Sequence, residues 1–278
     1  MTEAIKLLTF ISIIFVITLM ISGTLGGIVG EVIYYLAFVA PIFIGYRASE
    51  GLKYNREEQK GLAESPDGLL SFDKKRALLL LPIALPAVTL IMLASVITTL
   101  ILSLAGVTSA PIEGDGLITM LIVHALIPAF LEEALFRYIP MKLLMPYSKR
   151  WCVIYSALCF ALIHCSFFQM PYAFIAGVLF MVVDIALGSV WPSVILHFLN
   201  NALSVVCMKY FTDTPALFAF FGVMLVISAV SLVFVYRRRG EYRTAFFGAL
   251  DKGDSFAATY APLALALICC FIAASSLT

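Results

Sequence analysis

The residues best suited to chemistry lie in one short stretch, Leu131-Glu132-Glu133-Ala134-Leu135-Phe136-Arg137. It sets two adjacent carboxylates and a guanidinium in an otherwise almost wholly apolar run from Gly116 to Tyr147. Ionised groups in hydrocarbon cost several kcal/mol unless they are paired or line a polar cavity, so their presence marks function. On a helix, Glu133 and Arg137 are i,i+4 neighbours and can pair, while Glu132 points ~100° away around the axis. One carboxylate is thereby committed to structure and the other is left to react. The alternative is a buried charge network that only locks helices together.

Few other polar groups interrupt the apolar segments. Phe160-Ala161-Leu162-Ile163-His164 carries one histidine, and His197-Phe198-Leu199-Asn200-Asn201 carries another with an asparagine four residues on. His197 and Asn201 share a helix face and can present two donors to one point. These residue types suit the activation of water at a carbonyl. A carboxylate held away from bulk water is a stronger base, so Glu132 fits the general base. His164 could hold the attacking water or share its proton, and His197 and Asn201 could donate to the developing oxyanion. Glu133 and Arg137 would hold their helix in register. A second reading is a metal centre, with Glu132, His164 and His197 as a two-histidine, one-carboxylate set for zinc. No HExxH motif accompanies it.

The elements that must position these groups are membrane spans. Of 278 residues, 62% are hydrophobic and only 13% charged, with a mean hydropathy of +1.04. Soluble domains run at ~45–50% apolar and ~25% charged, so the composition is that of a polytopic membrane protein. A net charge of +1 says nothing about a nucleic-acid partner, but no basic tract is interleaved with aromatics as a nucleic-acid surface would be, and none is expected. The six cysteines fall in or beside apolar segments without CxxC spacing, which predicts neither disulfides nor a thiolate metal site.

A helix needs ~20 apolar residues to cross the bilayer. The candidate spans are Ile5–Gly23, Ile28–Tyr46, Ala77–Gly106, Gly116–Tyr147, Trp151–Phe167, Tyr172–Val190, Trp191–Tyr210, Ala216–Tyr236 and a ninth, Tyr260–Ser276. Pro128, four residues before Glu132, predicts a kink just ahead of the site. The expectation is an all-α, polytopic membrane bundle of eight to nine helices. Residues 1–278 form a single transmembrane domain, with catalytic core helices in 116–210 and a polar cytoplasmic loop over 47–76. With the N-terminus cytoplasmic, one side receives Lys6 and the basic residues of 47–76, 142–150 and 237–252. Only Lys209 falls on the other, and Arg137 lies within the membrane.

Glu132-Glu133-x-x-x-Arg137, then Phe160-x-x-x-His164, then His197-x-x-x-Asn201, on successive apolar segments, form a three-part signature. In this the chain resembles the CAAX-protease and bacteriocin-processing (CPBP, or ABI) intramembrane protease family, which includes the Ras-converting CAAX endopeptidase. The resemblance implies a helical membrane core with an endopeptidase site opening towards the cytoplasm or the bilayer. It implies Glu132 and His164 as activators of water, and His197 and Asn201 as the oxyanion site. It also implies a membrane-associated protein or peptide substrate, lipidated ones included, in contact with membrane lipid. The glutamate mechanism needs no cofactor, zinc being the alternative. Eight spans are expected of the CAAX enzyme, so Tyr260–Ser276 is an addition.

His124 and Asp184 match none of the three motifs. For His124 a structural or gating role is favoured. Asp184 wants a partner, and serves either helix packing or a substrate cavity. Rival readings of the whole chain are a non-catalytic immunity or regulatory partner of the same fold and a proton-coupled transporter. The transporter is disfavoured because the sequence shows no internal repeat.

Overall fold

The computed structural model describes residues 2–25, 27–51, 69–71, 74–107, 116–145, 147–211 and 214–247, which form helices and short connections. The helices are α1 (Thr2–Leu25), α2 (Gly27–Gly51), α3 (Lys74–Leu104), α4 (Leu117–Leu144), α5 (Lys149–Leu162), α6 (Met170–Leu187), α7 (Trp191–Tyr210), α8 (Thr214–Arg237) and α9 (Arg239–Phe247). Among the described residues there is no strand. Seven of these helices, α1 to α4 and α6 to α8, are long and apolar enough to cross a bilayer. The chain is an integral, multi-pass helical membrane protein.

The segment expected as a fifth span, Trp151–Phe167, is shorter as a helix. α5 has 14 residues, about 21 Å at 1.5 Å per residue. The chain turns at His164 and Cys165, where Cys165 adopts φ 46°. His164 lies in this turn, just beyond the end of α5, with its side chain part-buried. Tyr260–Ser276 and most of the 47–76 loop lie outside the described residues. Part of the expected basic loop 237–252 forms α9, whose Tyr242 hydroxyl donates to the Leu79 carbonyl at 3.2 Å.

α4 carries the glutamates and is built unusually. π turns occupy Ile122–Leu126 and Ala134–Tyr138, and a proline follows each one two residues on, Pro128 and Pro140. Proline removes a backbone donor and crowds the preceding turn, and a π turn relieves this by widening the ring. The disruption expected at Pro128 therefore takes the form of a bulge in the helical ladder. The bulges carry His124 and Arg137, with both glutamates on the α-helical turn between them.

The two halves of α4 meet different surroundings. Ile118, Ile122, Val123, Leu126 and Phe130 are exposed, while Leu135, Phe136, Ile139, Met141, Leu143 and Leu144 are each 2% exposed or less. α1 pairs with α2, α5 with α6, α3 with α8, and α7 packs along the first half of α4. Close approach of α5 and α6 depends on small residues: a Cβ on Gly177 would sit 2.7 Å from the Ala157 Cα. Apolar side chains such as Leu81, Leu104, Phe218 and Val230 face outward, as expected where the surroundings are lipid.

Candidate active site

The site is organised by Glu133, which is fully buried. Its Oε2 lies 3.1 Å from Arg137 Nε. That contact is electrostatic rather than a well-aligned hydrogen bond, since neither atom meets hydrogen-bond geometry. Arg137 is itself fully buried and stacks its guanidinium 4.2 Å from the centroid of Phe160 and 5.5 Å from that of Phe180. Its Nη atoms make no hydrogen bond among the described residues. Ring faces thus replace hydrogen-bond acceptors around the cation. Phe160 therefore seats the arginine that neutralises Glu133.

Glu133 Oε1 makes a second contact that helical spacing does not reveal. It accepts from His197 Nδ1 at 2.7 Å, joining α4 to α7. A carboxylate only accepts, so Nδ1 carries the proton and Nε2 of a neutral His197 keeps its lone pair. To donate to an oxyanion from Nε2, the ring must hold a second proton. His164 is fixed in the same sense, because its Nδ1 donates to the Phe160 carbonyl at 2.7 Å. A carbonyl also only accepts, which leaves the His164 Nε2 lone pair available.

Glu132 stands apart from this network. Its side chain is 13% exposed, and its Oε2 lies 3.9 Å from His197 Nε2. Oε2 makes no hydrogen bond among the described residues. Tyr34 and Tyr172 are within its electrostatic reach. Asn201 Oδ1 accepts from Asn200 Nδ2 at 3.1 Å, which leaves the Asn201 amide N–H groups free to donate. Glu132, Phe160, His164, His197 and Asn201 all line one cavity of about 1020 Å³. The structure therefore gathers the sequence-derived residues from α4, from α5 and the turn that follows it, and from α7, with Glu133 and Arg137 in the wall behind.

Among the described residues no group of three His, Cys, Asp or Glu side chains, Glu132, His164 and His197 included, is gathered closely enough to hold a metal ion.

Asp184 takes the packing role. Fully buried on α6, its Oδ1 accepts from the Ser193 amide at 2.8 Å, capping the first turn of α7 from a neighbouring helix. Ser193 and His197 are i,i+4, so two carboxylates, Asp184 and Glu133, grip one face of α7. His124 also lines the cavity, from the first π turn. Tyr34, Tyr172 and Asn200 line it too. Sequence reading does not single out the two tyrosines, which lie in apolar segments without a motif.

Fold and site together define a polytopic α-helical membrane protein with ionisable groups gathered around an intramembrane cavity. Within that class, residues 114–203 match the family model of type II CAAX prenyl endopeptidase Rce1-like proteins. The match encloses every motif residue, so this part of the chain is similar to that family. No curated protein and no solved structure matches the chain.

Proposed function

We propose that the chain is an intramembrane endopeptidase that hydrolyses a peptide bond of a membrane-associated protein or peptide. The observation that carries this reading is the division of labour between the adjacent glutamates. Glu133 is consumed by Arg137 and His197, while Glu132 faces the cavity with no hydrogen bond to its Oε2 among the described residues.

In the reaction, Glu132 takes a proton from water as the hydroxyl oxygen bonds to the acyl carbon. The His164 Nε2 lone pair accepts a hydrogen bond from the other water O–H and so orients the nucleophile. Asn201 donates to the oxyanion. His197 does so in its doubly protonated form, with Glu133 steadying the Nδ1 side. The C–N bond then breaks, and Glu132 returns its proton to the leaving amine. The products are a new carboxylic acid, which ionises by losing its proton to solvent, and a new amine. A role for lipid in substrate binding is consistent with the apolar walls of the cavity, and a lipidated substrate belongs to the same reading.

The test compares protein termini in host membranes carrying the wild type or Glu132→Gln at matched expression. New termini confined to the wild type are the expected result. Identical termini at good coverage would transfer the weight to a non-catalytic partner of the same fold.

A further inference from the structure

The cavity has a direction. Its lining runs from Glu132 to Gly23 and Gly30 at the α1–α2 turn, Val96 on the second half of α3, His124 on the first half of α4, Met208 at the end of α7 and Leu217 at the start of α8. Towards the other membrane face it is closed. There Arg137, Phe136, Ile139, Met141, Leu144 and Phe180 are each 2% exposed or less.

The closed direction is the basic one. Arg47 near the end of α2, Lys142 near the end of α4, Lys149 and Arg150 at the start of α5, and Arg237, Arg238, Arg239 and Arg243 around α9 all belong to it. Contacts between helix ends tie this face together: Lys142 Nζ lies 4.7 Å over the Tyr46 ring, and Tyr242 bonds to Leu79. On the cavity side, Lys209 near the end of α7 is the basic residue among the described helix ends. Lysine and arginine are retained on the cytoplasmic side of short loops.

We infer that the cavity opens away from the cytoplasm. Resting on the hydrolytic reading, this makes the substrate a polypeptide segment exposed on, or anchored in, the extracytoplasmic leaflet. It differs from the cytoplasmic opening that family resemblance implies. The substrate class is accordingly an exported or outwardly exposed membrane-associated chain, not a cytoplasmic lipidated tail.

Native Cys207 lines the cavity two to three turns beyond His197, which allows a test on the full chain. Right-side-out and inside-out membrane vesicles would be treated with a membrane-impermeant maleimide, and modified peptides mapped by mass spectrometry. Ser204→Cys, one turn nearer the glutamates, supplies a second cavity position, and Arg150→Cys reports the basic face. The expected result is modification of Cys207 or of the Ser204→Cys position in right-side-out vesicles only, and of the Arg150→Cys position in inside-out vesicles only. Modification of the cavity positions from the cytoplasmic face, or of neither from the outer face, would overturn the inference. The labelling does not depend on turnover, so an inactive protein would defeat the hydrolytic reading and leave the orientation result standing.

Discussion

His197 Nδ1 donates to Glu133 Oε1 at 2.7 Å across two helices, and this bond converts a local i,i+4 ion pair into a three-residue relay of Arg137, Glu133 and His197. The relay fixes the tautomer of the imidazole and tethers α7 to the middle of α4. It also explains why adjacent glutamates differ: one supports the frame, and the other faces the cavity.

Removing the free carboxylate should be a chemical loss with little structural cost. Glu132→Gln keeps the size of the side chain and lacks only the basic oxygen. Cleavage should fall by at least about 10²–10⁴-fold, the usual worth of a positioned acid–base group. Thermal unfolding in detergent should stay close to that of the wild type. Retained turnover would sink the assignment of Glu132 as base.

The neighbouring glutamate should behave in the opposite way. Glu133→Ala strands the buried Arg137 cation and frees His197, so a destabilisation of about 3–5 kcal/mol is expected. A double-mutant cycle with His197→Ala should show coupling of about 1.5–3 kcal/mol, the range of a charge-assisted hydrogen bond. Independent, additive losses would show that the bond between them carries no energy.

Asp184 should matter through the end of α7. Asp184→Ala removes the acceptor of the Ser193 amide, and a cost of about 0.5–2 kcal/mol is expected for a lost cap. Asp184→Asn keeps an acceptor oxygen and should lose less. Amide exchange in the first turn of α7 reads this directly. Equal protection in wild type and Asp184→Ala would remove the capping role.

Gly177→Ala tests the closest helix contact in the core. The added methyl meets backbone and Cβ atoms of Ala157, which cannot rotate away. Overpacking of this kind costs typically about 1–3 kcal/mol. Gly23→Ala, with nothing within 4 Å of the new Cβ, is the control and should be close to neutral. A neutral Gly177→Ala would mean that α5 and α6 separate easily.

The membrane class, the all-helical architecture and the three motifs could be read from the sequence because they are local properties. Hydrophobicity integrated over ~20 residues sets a span, and i,i+4 spacing sets a helix face. Glu132, Glu133, Arg137, His164, His197 and Asn201 are legible as candidates on that basis, and Phe160 through the three-part signature. The same local rules predicted trouble at Pro128 but not its form, since a kink and a π turn relieve the same crowding. They also read Trp151–Phe167 as a full span, because its apolar composition continues past the turn at His164. Which carboxylate His197 would bind, what Asp184 would cap and where the cavity would open were decided by tertiary packing. Those contacts join residues 9 to 64 positions apart, and periodicity along one helix carries no information about its rotation against another.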